Sequence, residues 1–359
     1  QVFTWSGIRD TVMTPLDSIK HYKSFFRSGF MVMQPQTGYI KAYVGGPDYR
    51  YFMYDMVSAG KRQVGSTIKP ILYTLAMQEG LGPCDKVPNI PQTFILPTGE
   101  PWSARGGTKR QGEMVTLRWG LANSENNISA WVLKQFTPEA EILIKTRGNL
   151  QEVAAQGEYS LLVNGATAEI TVKEMVAAYS IFANKGVYNS PLPVYRIEDK
   201  YGNVLQEFRP ESREVITENT AYLMCNLLEG VVTGGTGVRL RYKYKLMNPM
   251  GGKTGTTQKH ADGWFMGVTP DLVGGVWVGA EDRSIHFQNL ANGQGASMAL
   301  PIWAKFLLKA YADPRLKMSD RPFDRPAGIN KRLDCDETIS EAEVKEINNG
   351  IREDEEEFY

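Results

Sequence analysis

The spacing of apolar residues predicts that the middle of the chain is mostly helical. From Ser66 to Glu79, apolar side chains recur every three or four residues, and Gly80 supplies a stop signal. Similar periods predict further helices over residues 116–121, 128–136, 138–146, 171–184 and 217–232. The stretch 81–112 is rich in Pro and Gly and has no strong period, so it is expected to be a long surface loop.

Strand-like patterns stand on both sides of this helical region. Residues 30–33 and 39–44 flank a Pro-Gln-Thr-Gly turn and predict a β-hairpin. Toward the C-terminus, short turns separate the strand-like runs 252–257, 263–268 and 272–279, which are therefore expected to be antiparallel neighbours. An amphipathic helix over 298–311 would cover one face. The predicted fold is α+β: an antiparallel sheet of about five strands flanked by helices, with an inserted, mostly helical subdomain.

The chain divides into three predicted segments. Residues 1–28 mix charged and aromatic residues without a long period and are interpreted as a linker or the remnant of a preceding region. Residues 29–313 form the main domain, from which a small hairpin over 194–208 is expected to project. Residues 314–359 contain Pro and end in an acidic run, 353–357, a composition typical of a solvated tail.

Neither a membrane span nor a signal peptide is evident in the sequence. The longest apolar stretches, such as 298–308, fall short of the roughly 20 residues that cross a bilayer. The chain begins at Gln1 without an initiator Met, a pattern expected of a processed chain or of a piece of a longer protein.

Charge and composition argue against several classes of function. Lys and Arg together number 40, as do Asp and Glu, so no net charge draws the protein to nucleic acid or to an anionic membrane. The cysteines and histidines share no metal-ligand spacing, so neither a metal nor another cofactor is expected. An odd number of cysteines, Cys84, Cys225 and Cys335, fits no disulfide framework and leaves the redox compartment open.

The segment 63–70 carries a candidate nucleophile. Ser66 and Lys69 are three residues apart, which places their side chains on one face of a helix. Pro70 has no N–H to donate and is tolerated only in about the first turn, so Ser66 is expected at the helix mouth. There, free N–H groups and the positive end of the helix dipole suit a nucleophile whose attack generates an oxyanion. Lys69 is placed to take the Ser66 proton, provided that it is neutral.

A neutral Lys69 requires a large pKa shift. A free lysine has a pKa of about 10.4, so working near pH 7 needs a depression of roughly 3 units, about 4 kcal/mol. Burial and a second cation would supply it, and the cation predicted for this role is Lys253, in a Lys-Thr-Gly-Thr strand. In that strand, Gly255 would let a substrate backbone approach, while the N–H and C=O groups would pair with an extended peptide.

A third motif, Ser124-Glu-Asn126, is expected on a short loop between two helices. Ser124 could relay a proton, and Asn126 offers a donor and an acceptor to a substrate amide. Alone, Ser-x-x-Lys or Ser-x-Asn is expected about once by chance in a chain of this length, so the ordered set of three motifs carries the interpretation. A decoy, Ser58-Ala-Gly-Lys, lacks the proline, and its glycine disfavours a helix.

In this order, the three motifs resemble those of penicillin-binding proteins and serine β-lactamases. Longer segments are similar to the transpeptidase domains of class A, or bifunctional, penicillin-binding proteins: 62–70, 178–186, 234–237, 252–258 and 262–267. The resemblance covers about residues 30–312 and implies the penicillin-binding protein and β-lactamase fold. Two places depart from the family pattern: Val64, where many relatives have proline, and residues 162–165.

The resemblance implies a peptidoglycan D,D-transpeptidase that cross-links stem peptides. Ser66 would be the nucleophile, acylated by the D-Ala-D-Ala end of a stem peptide with release of D-Ala, and an amine of a neighbouring strand would take the acyl group. Lys69 would be its base, and Ser124 and Asn126 would come from the second motif. β-Lactams would acylate the same serine as covalent inhibitors.

By the same resemblance, substrate binding falls to the strand motif. Lys253, Thr254 and Thr256, beside Gly255, would bind the substrate carboxylate and peptide backbone. The N–H groups of Ser66 and Thr256 would form the oxyanion hole. The resemblance further implies an extracytoplasmic location and a membrane-anchored parent protein with an upstream glycosyltransferase domain, and cell-wall assembly proteins as further partners.

Two alternatives remain open. A D,D-carboxypeptidase or a β-lactamase-type hydrolase would share the motifs but must also activate a deacylating water, and the sequence shows no evident second carboxylate base for that water. A sensor module would bind peptide or β-lactam, become acylated and signal without turnover. The intact triple motif argues against such an inactive protein.

Overall fold

The computed structural model describes residues 1–95, 101–103, 109–136 and 169–335. In these ranges the α-helices are α1 (Pro15–Lys23), α2 (Lys69–Gln78), α3 (Leu117–Ala122), α4 (Asn126–Gln135), α5 (Val172–Ala183), α6 (Glu218–Gly234), α7 (Arg239–Tyr242), α8 (Leu290–Gly293), α9 (Gly295–Met298) and α10 (Leu300–Ala312). Short 3₁₀ helices span Gly65–Ile68, Gln258–His260 and Pro314–Leu316. The strands are β1 (Phe26–Met33), β2 (Ile40–Val44), β3 (Arg62–Gln63), β4 (Lys86–Pro88), β5 (Thr93–Ile95), β6 (Pro101–Ser103), β7 (Met114–Thr116), β8 (Glu169–Ile170), β9 (Val187–Asn189), β10 (Arg196–Glu198), β11 (Val204–Glu207), β12 (Ser212–Glu214), β13 (Gly251–Thr256), β14 (Asp262–Val268) and β15 (Val273–Ala280). No helix in these ranges combines the length and the apolar composition that a bilayer span needs.

Five strands form one antiparallel sheet, in the order β13-β14-β15-β1-β2. The N-terminal hairpin joins the C-terminal strands where β1 pairs with β15, from Phe26 opposite Ala280 to Met33 opposite Val273. The helices of the middle of the chain are therefore inserted between the two parts of one sheet. This confirms the predicted α+β fold, although β1 begins at Phe26 rather than at residue 30.

Both faces of this sheet are buried. Along β1, Met31 and Met33 pack in an apolar cluster with α2, α5 and α6, whereas Phe30 and Val32 pack in a second cluster with α10. This alternation is that of a strand whose successive side chains point to opposite faces. The helix predicted over 298–311 corresponds to α10, preceded by the short α9, and it covers one face of the sheet as expected.

Trp303 of α10 lies against two glycines of the sheet. Gly267 and Gly274 are directly paired between β14 and β15. A Cβ on either glycine would lie 2.3 Å from a carbon of the indole ring, so a side chain at either position would push the helix away. Trp303 is fully buried, and this contact sets how closely α10 packs on the sheet.

Threonine caps determine where three of the predicted helices begin. The hydroxyls of Thr116 and Thr217 accept the backbone N–H three residues on, at the starts of α3 and α6. At α5, Thr171 and Glu174 form a capping box, in which each side chain bonds the backbone N–H of the other. The helix starts predicted at these threonines are confirmed to within one residue. The helix predicted over 138–146 lies outside the described residues.

The structure confirms one peripheral element and corrects another. β10 and β11 form the hairpin expected around 194–208, and every residue of both strands is exposed. Contrary to the solvated tail expected from residue 314 onward, residues 314–335 pack on the domain, with Phe323 and Leu333 in the core. The acidic run 353–357 lies outside the described residues.

A disulfide bond joins Cys84 to Cys335, across 251 residues of sequence. The sequence left the pairing of the cysteines open, because their odd count fits no complete disulfide framework. Only the tertiary fold brings these two residues together, and an odd count does not exclude a single pair. Cys225 is buried in α6, where its thiol donates to the Phe182 carbonyl, and burial raises the pKa of this thiol.

Replacing both bridging residues, as C84S/C335S, should lower the free energy of unfolding by about 2–4 kcal/mol, because a cross-link over a long loop restricts the unfolded chain. Urea unfolding followed by tryptophan fluorescence would measure the loss. A reducing agent should destabilise the wild type to the same level and leave the double variant unchanged. Equal unfolding midpoints for oxidised wild type and double variant would contradict this prediction.

Candidate active site

Two glycines allow the turn that carries Ser66 to lie against strand β13. Gly65 has a φ of +52°, and a Cβ there would lie 2.8 Å from the Thr256 carbonyl oxygen. On the strand, a Cβ on Gly255 would lie 2.9 Å from the Val64 carbonyl oxygen. Ser66 therefore stands beside β13. The turn that carries Ser66 occupies the space into which a side chain at position 255 would project. The predicted role of Gly255 in substrate binding stays a prediction.

Ser66 lies at the mouth of a helix, where Pro70 predicts it. The 3₁₀ helix Gly65–Ile68 contains Ser66 and leads directly into α2, which has Pro70 in its first turn. The Lys69 N–H donates to the Ser66 carbonyl, and residues three apart in a 3₁₀ turn lie one above the other. Ser66 is partly exposed, whereas Lys69 is only 2% exposed.

Lys69 directs its ammonium group at the Ser124-Glu-Asn motif. Its Nζ lies 2.5 Å from the Ser124 carbonyl oxygen, 2.6 Å from Asn126 Oδ1 and 3.5 Å from Ser124 Oγ. Within the described residues, its hydrogen bonds therefore go to this motif, which ends at the first residue of α4, and not to the Ser66 hydroxyl. Ser124 has a φ of +59°, an unfavourable conformation for a serine that presents both its carbonyl and its hydroxyl to Lys69.

Lys253 completes a cluster of two buried lysines around one hydroxyl group. It is fully buried, and its Nζ donates to Ser124 Oγ over 2.9 Å and to the Thr254 carbonyl over 3.1 Å. Ser124 Oγ thus bridges Lys69 and Lys253. Because a hydroxyl both donates and accepts, this bridge suits a proton relay.

Burial lowers the pKa of Lys69 to about 7, against the opposing charge of Glu125. Burial also lowers the pKa of Lys253 well below its usual value, and the charge of Lys69 lowers it further. The sequence predicts that burial and Lys253 together shift Lys69. In the structure burial is the largest cause for both lysines. The repulsion between two ammonium groups is mutual, so it disfavours the state in which both lysines are protonated.

Two residues outside the three motifs hold the strand threonines. Thr236 Oγ1 lies 2.7 Å from Thr254 Oγ1, and the Gly295 N–H donates to Thr256 Oγ1 over 3.1 Å. A Cβ on Gly295 would lie 2.4 Å from the Gly255 carbonyl oxygen. Neither Thr236 nor Gly295 is singled out by a motif of its own, although Thr236 lies in the Gly-Gly-Thr-Gly segment that carries part of the family resemblance.

Glu125, the middle residue of its motif, also belongs to the site. It is only 4% exposed, and its Oε2 has no hydrogen-bond partner within the described residues. Burial raises the pKa of its carboxyl group, whereas Lys69 and Lys109 lower it. The sequence carries no signal for this residue, because any residue type satisfies the middle position of Ser-x-Asn.

The decoy serine lies in a different setting. Ser58 is exposed in a turn, and its hydroxyl donates to Asp55 Oδ2 over 2.5 Å. It is not at the start of a helix, and Lys61 is exposed rather than buried. Ser58 therefore lacks both the helix start and the buried lysine that accompany Ser66.

A buried carboxylate anchors the turn that follows β13. Asp262 is fully buried, and its two oxygens accept from Arg62 Nε over 3.0 Å and from Arg283 Nη1 over 2.5 Å. The carboxylate also accepts from the Thr257 hydroxyl over 2.8 Å and from Trp277 Nε1 over 3.1 Å. This network ties the segment before Ser66 to the end of the Lys-Thr-Gly-Thr strand.

Comparison with known families identifies the chain. The model described as "Penicillin binding protein transpeptidase domain" matches residues 28–283. The chain belongs to the penicillin-binding protein transpeptidase family. A second model, "Penicillin-binding protein middle domain", matches residues 1–26 of this penicillin-binding protein.

Similar curated proteins confirm the resemblance to class A penicillin-binding proteins. Penicillin-binding protein 1A of Aquifex aeolicus is 32% identical over 273 residues, which are 76% of this chain and 36% of that protein. Penicillin-binding protein 1A of Vibrio cholerae is 27% identical over 355 residues, covering 84% of this chain and 42% of that protein. The chain therefore spans less than half the length of these two relatives.

Solved structures show the same fold. The crystal structure of penicillin-binding protein 1A from Haemophilus influenzae matches with a TM-score of 0.70 at 25% identity, over 80% of this chain and 48% of that one. The penicillin-binding protein PonA1 from Mycobacterium tuberculosis matches with a TM-score of 0.69 at 20% identity, over 88% and 83% of the two chains. The fold implied by the sequence resemblance is therefore confirmed.

Asp262→Asn should lower the free energy of unfolding by about 2–4 kcal/mol, because it leaves two arginines facing a neutral amide in a largely buried site. Asp271→Asn is the control, since Asp271 is a partly exposed carboxylate that pairs with Arg321 over 3.5 Å and accepts the Ser319 N–H over 3.3 Å, and loss of its charge should cost less than about 1 kcal/mol. Chemical denaturation of both variants would compare the two losses. Equal losses would show that the buried network does not anchor the turn.

Proposed function

We propose that this penicillin-binding protein domain is a serine D,D-transpeptidase, which forms peptidoglycan cross-links through an acyl-enzyme at Ser66. The main support is the cluster beside Ser66, in which the buried Lys69 and Lys253 share the Ser124 hydroxyl. A pKa of about 7 leaves a large neutral fraction of Lys69 near neutral pH. A neutral amine can take the proton of a serine that becomes a nucleophile.

In the first half-reaction, Ser66 Oγ attacks the carbonyl carbon of the penultimate D-Ala of a stem peptide, and Lys69 takes the hydroxyl proton. The N–H groups of Ser66 and Thr256 would hold the oxyanion that forms. The C–N bond then breaks, and the departing D-Ala amine takes a proton through Ser124, whose Oγ contacts both lysines. The products are an ester at Ser66 and free D-Ala.

In the second half-reaction, an amine from a neighbouring stem peptide attacks the ester carbonyl. A peptide bond forms, the ester C–O bond breaks, and Ser66 leaves as its hydroxyl after taking back a proton. The amine gives up its own proton to Lys69, so the cluster returns to its starting state. Proton uptake and release are thus balanced over one cycle.

Strand β13 is proposed to bind the donor peptide. It lies at the edge of the sheet, where one side of a strand backbone is available to an extended peptide. Along it, Thr254, Gly255 and Thr256 would bind the peptide backbone and terminal carboxylate, with Lys253 supplying positive charge. Asn126, the first residue of α4, would bind a substrate amide.

The class A resemblance extends the proposal to the parent protein. We propose a membrane-anchored protein with an upstream glycosyltransferase domain, on the periplasmic face of the inner membrane, with cell-wall assembly proteins as further partners. The disulfide between Cys84 and Cys335 supports an extracytoplasmic location, because such bonds persist in oxidising compartments.

Fluorescent penicillin should label the wild type covalently at Ser66, because opening the β-lactam ring leaves the amine tethered and the ester persists. Ser66→Ala should abolish the label, whereas Ser58→Ala, which removes the decoy, should keep it. Intact mass and peptide mapping would locate the adduct. An unlabelled wild type, or full labelling of Ser66→Ala, would overturn the proposal.

The fate of the acyl group separates transpeptidase from hydrolase and sensor. Given a donor peptide ending in D-Ala-D-Ala and a supplied amine, the transpeptidase should release D-Ala and form an amide that depends on the amine concentration. Mass spectrometry of the products, with and without the amine, would measure the partition. If the hydrolysed acid is the only product formed, a carboxypeptidase or a β-lactamase-type enzyme is favoured. A long-lived acyl-enzyme without transfer to the amine would favour a sensor.

A further inference from the structure

Glu125 is a buried carboxyl group that the proposed reaction does not use. Only 4% of it is exposed, and its Oε2 has no hydrogen-bond partner within the described residues. Its backbone is held in place: the N–H donates to the Gly120 carbonyl over 2.9 Å, and the carbonyl accepts from Ser129 Oγ over 2.9 Å. Burying a carboxylate that lacks part of its hydrogen bonds costs free energy, and a nearby cation reduces that cost.

The ionisable groups that face Glu125 come from two other elements. Lys69 and the hydroxyl of Tyr73 face it from α2, and Lys109 faces it from the segment before β7. Two of these three groups are cations. The charges of the buried Lys69 and of Lys109, on the other segment, therefore both act on the Glu125 carboxyl group.

Lys69, in turn, is faced by one cation and one carboxyl group. Ser124 and Asn126, on either side of Glu125, accept its hydrogen bonds, and Lys253 stands across Ser124 Oγ. Glu125 is the acidic side chain whose charge acts on Lys69. Within the described residues, no carboxylate oxygen bonds directly to either lysine, so the negative charge acts on Lys69 without a direct hydrogen bond.

We propose that Glu125 is the counter-charge of Lys69, a positioning residue that sets the pH at which Lys69 becomes a base without touching the substrate. This inference rests on the proposed function, in which Lys69 is the base for Ser66. The carboxylate stabilises the protonated form of Lys69, so Lys69 should lose its proton at lower pH when the charge is removed. The directions of the pKa shifts agree, because the charge of each group opposes the shift that burial causes in the other.

The counter-charge balances two requirements of a catalytic base. A lysine of lower pKa is neutral more often, but it accepts the proton of a serine less readily. Burial alone drives the pKa of Lys69 down, and Glu125 limits that fall. Lys109, which favours the ionised form of Glu125, helps to keep the counter-charge in place.

The test is the pH dependence of Ser66 acylation by fluorescent penicillin, followed from about pH 5 to about pH 9. In the wild type the rate should rise with pH through about 7, as Lys69 loses its proton. Glu125→Gln keeps the shape and removes the charge, and it should move this rise to lower pH by about one unit. Relative to its plateau, acylation near pH 5.5 should then be about tenfold faster than in the wild type. An unshifted profile would overturn the inference.

Glu229→Gln is the matched control. Glu229 is a partly buried carboxyl group whose pKa is also raised by burial, but the charges that act on it are those of Arg118 and Arg241 rather than that of Lys69. Its replacement should leave the acylation profile in place. Glu125→Asp retains the charge and should keep most of the wild-type profile. Thermal unfolding of each variant checks that it is folded, so a loss of structure is not mistaken for a shift.

Two other outcomes separate this inference from the proposed function. If the wild type is not acylated at Ser66, the proposed function fails, and this inference fails with it. If Ser66 is acylated and Glu125→Gln has the wild-type profile but holds the penicilloyl group much longer, Glu125 acts on the deacylating water. That result would overturn the inference that Glu125 is the counter-charge of Lys69, and it would leave the proposed acylation of Ser66 standing.

Discussion

The rest of the site depends on the burial of two lysines around one hydroxyl group. An ammonium group loses its proton more readily in the interior, because the water that stabilises its charge is excluded. Lys69 and Lys253 reach this state because α2, β13 and the loop between α3 and α4 converge on Ser124. A displacement of any of these three elements would separate the amines or readmit water.

The fold maintains this convergence through close backbone approaches. Gly65 and Gly255 let the Ser66 turn touch β13, and a side chain on either glycine would clash with a carbonyl oxygen of the other element. Asp262 ties the far end of the strand to the segment before Ser66. On the opposite side, Trp303 packs α10 on the same sheet. The cluster of Lys69, Ser124 and Lys253 is therefore supported from within the domain core.

Most of the architecture follows from local patterns, and the exceptions share one cause. Strand-like runs bounded by turns predict the strands, and helical spacing predicts α3, α5 and α6, because each signal lies within a few residues. The packed segment 314–335 and the disulfide from Cys84 to Cys335 depend on contacts between residues far apart in the chain. No local pattern carries that information, so composition predicted a solvated tail and left the pairing of the cysteines open.

The candidate site divides in the same way. Ser66, Lys69 and Pro70 lie within one helical turn, so the sequence alone determined that a serine and a lysine share a helix mouth. Lys253 and Ser124 are 129 residues apart, and only the tertiary structure decided that they meet around one hydroxyl group. It also decided that Glu125 is buried beside Lys69, because burial and charge depend on which elements pack together rather than on the order of residues.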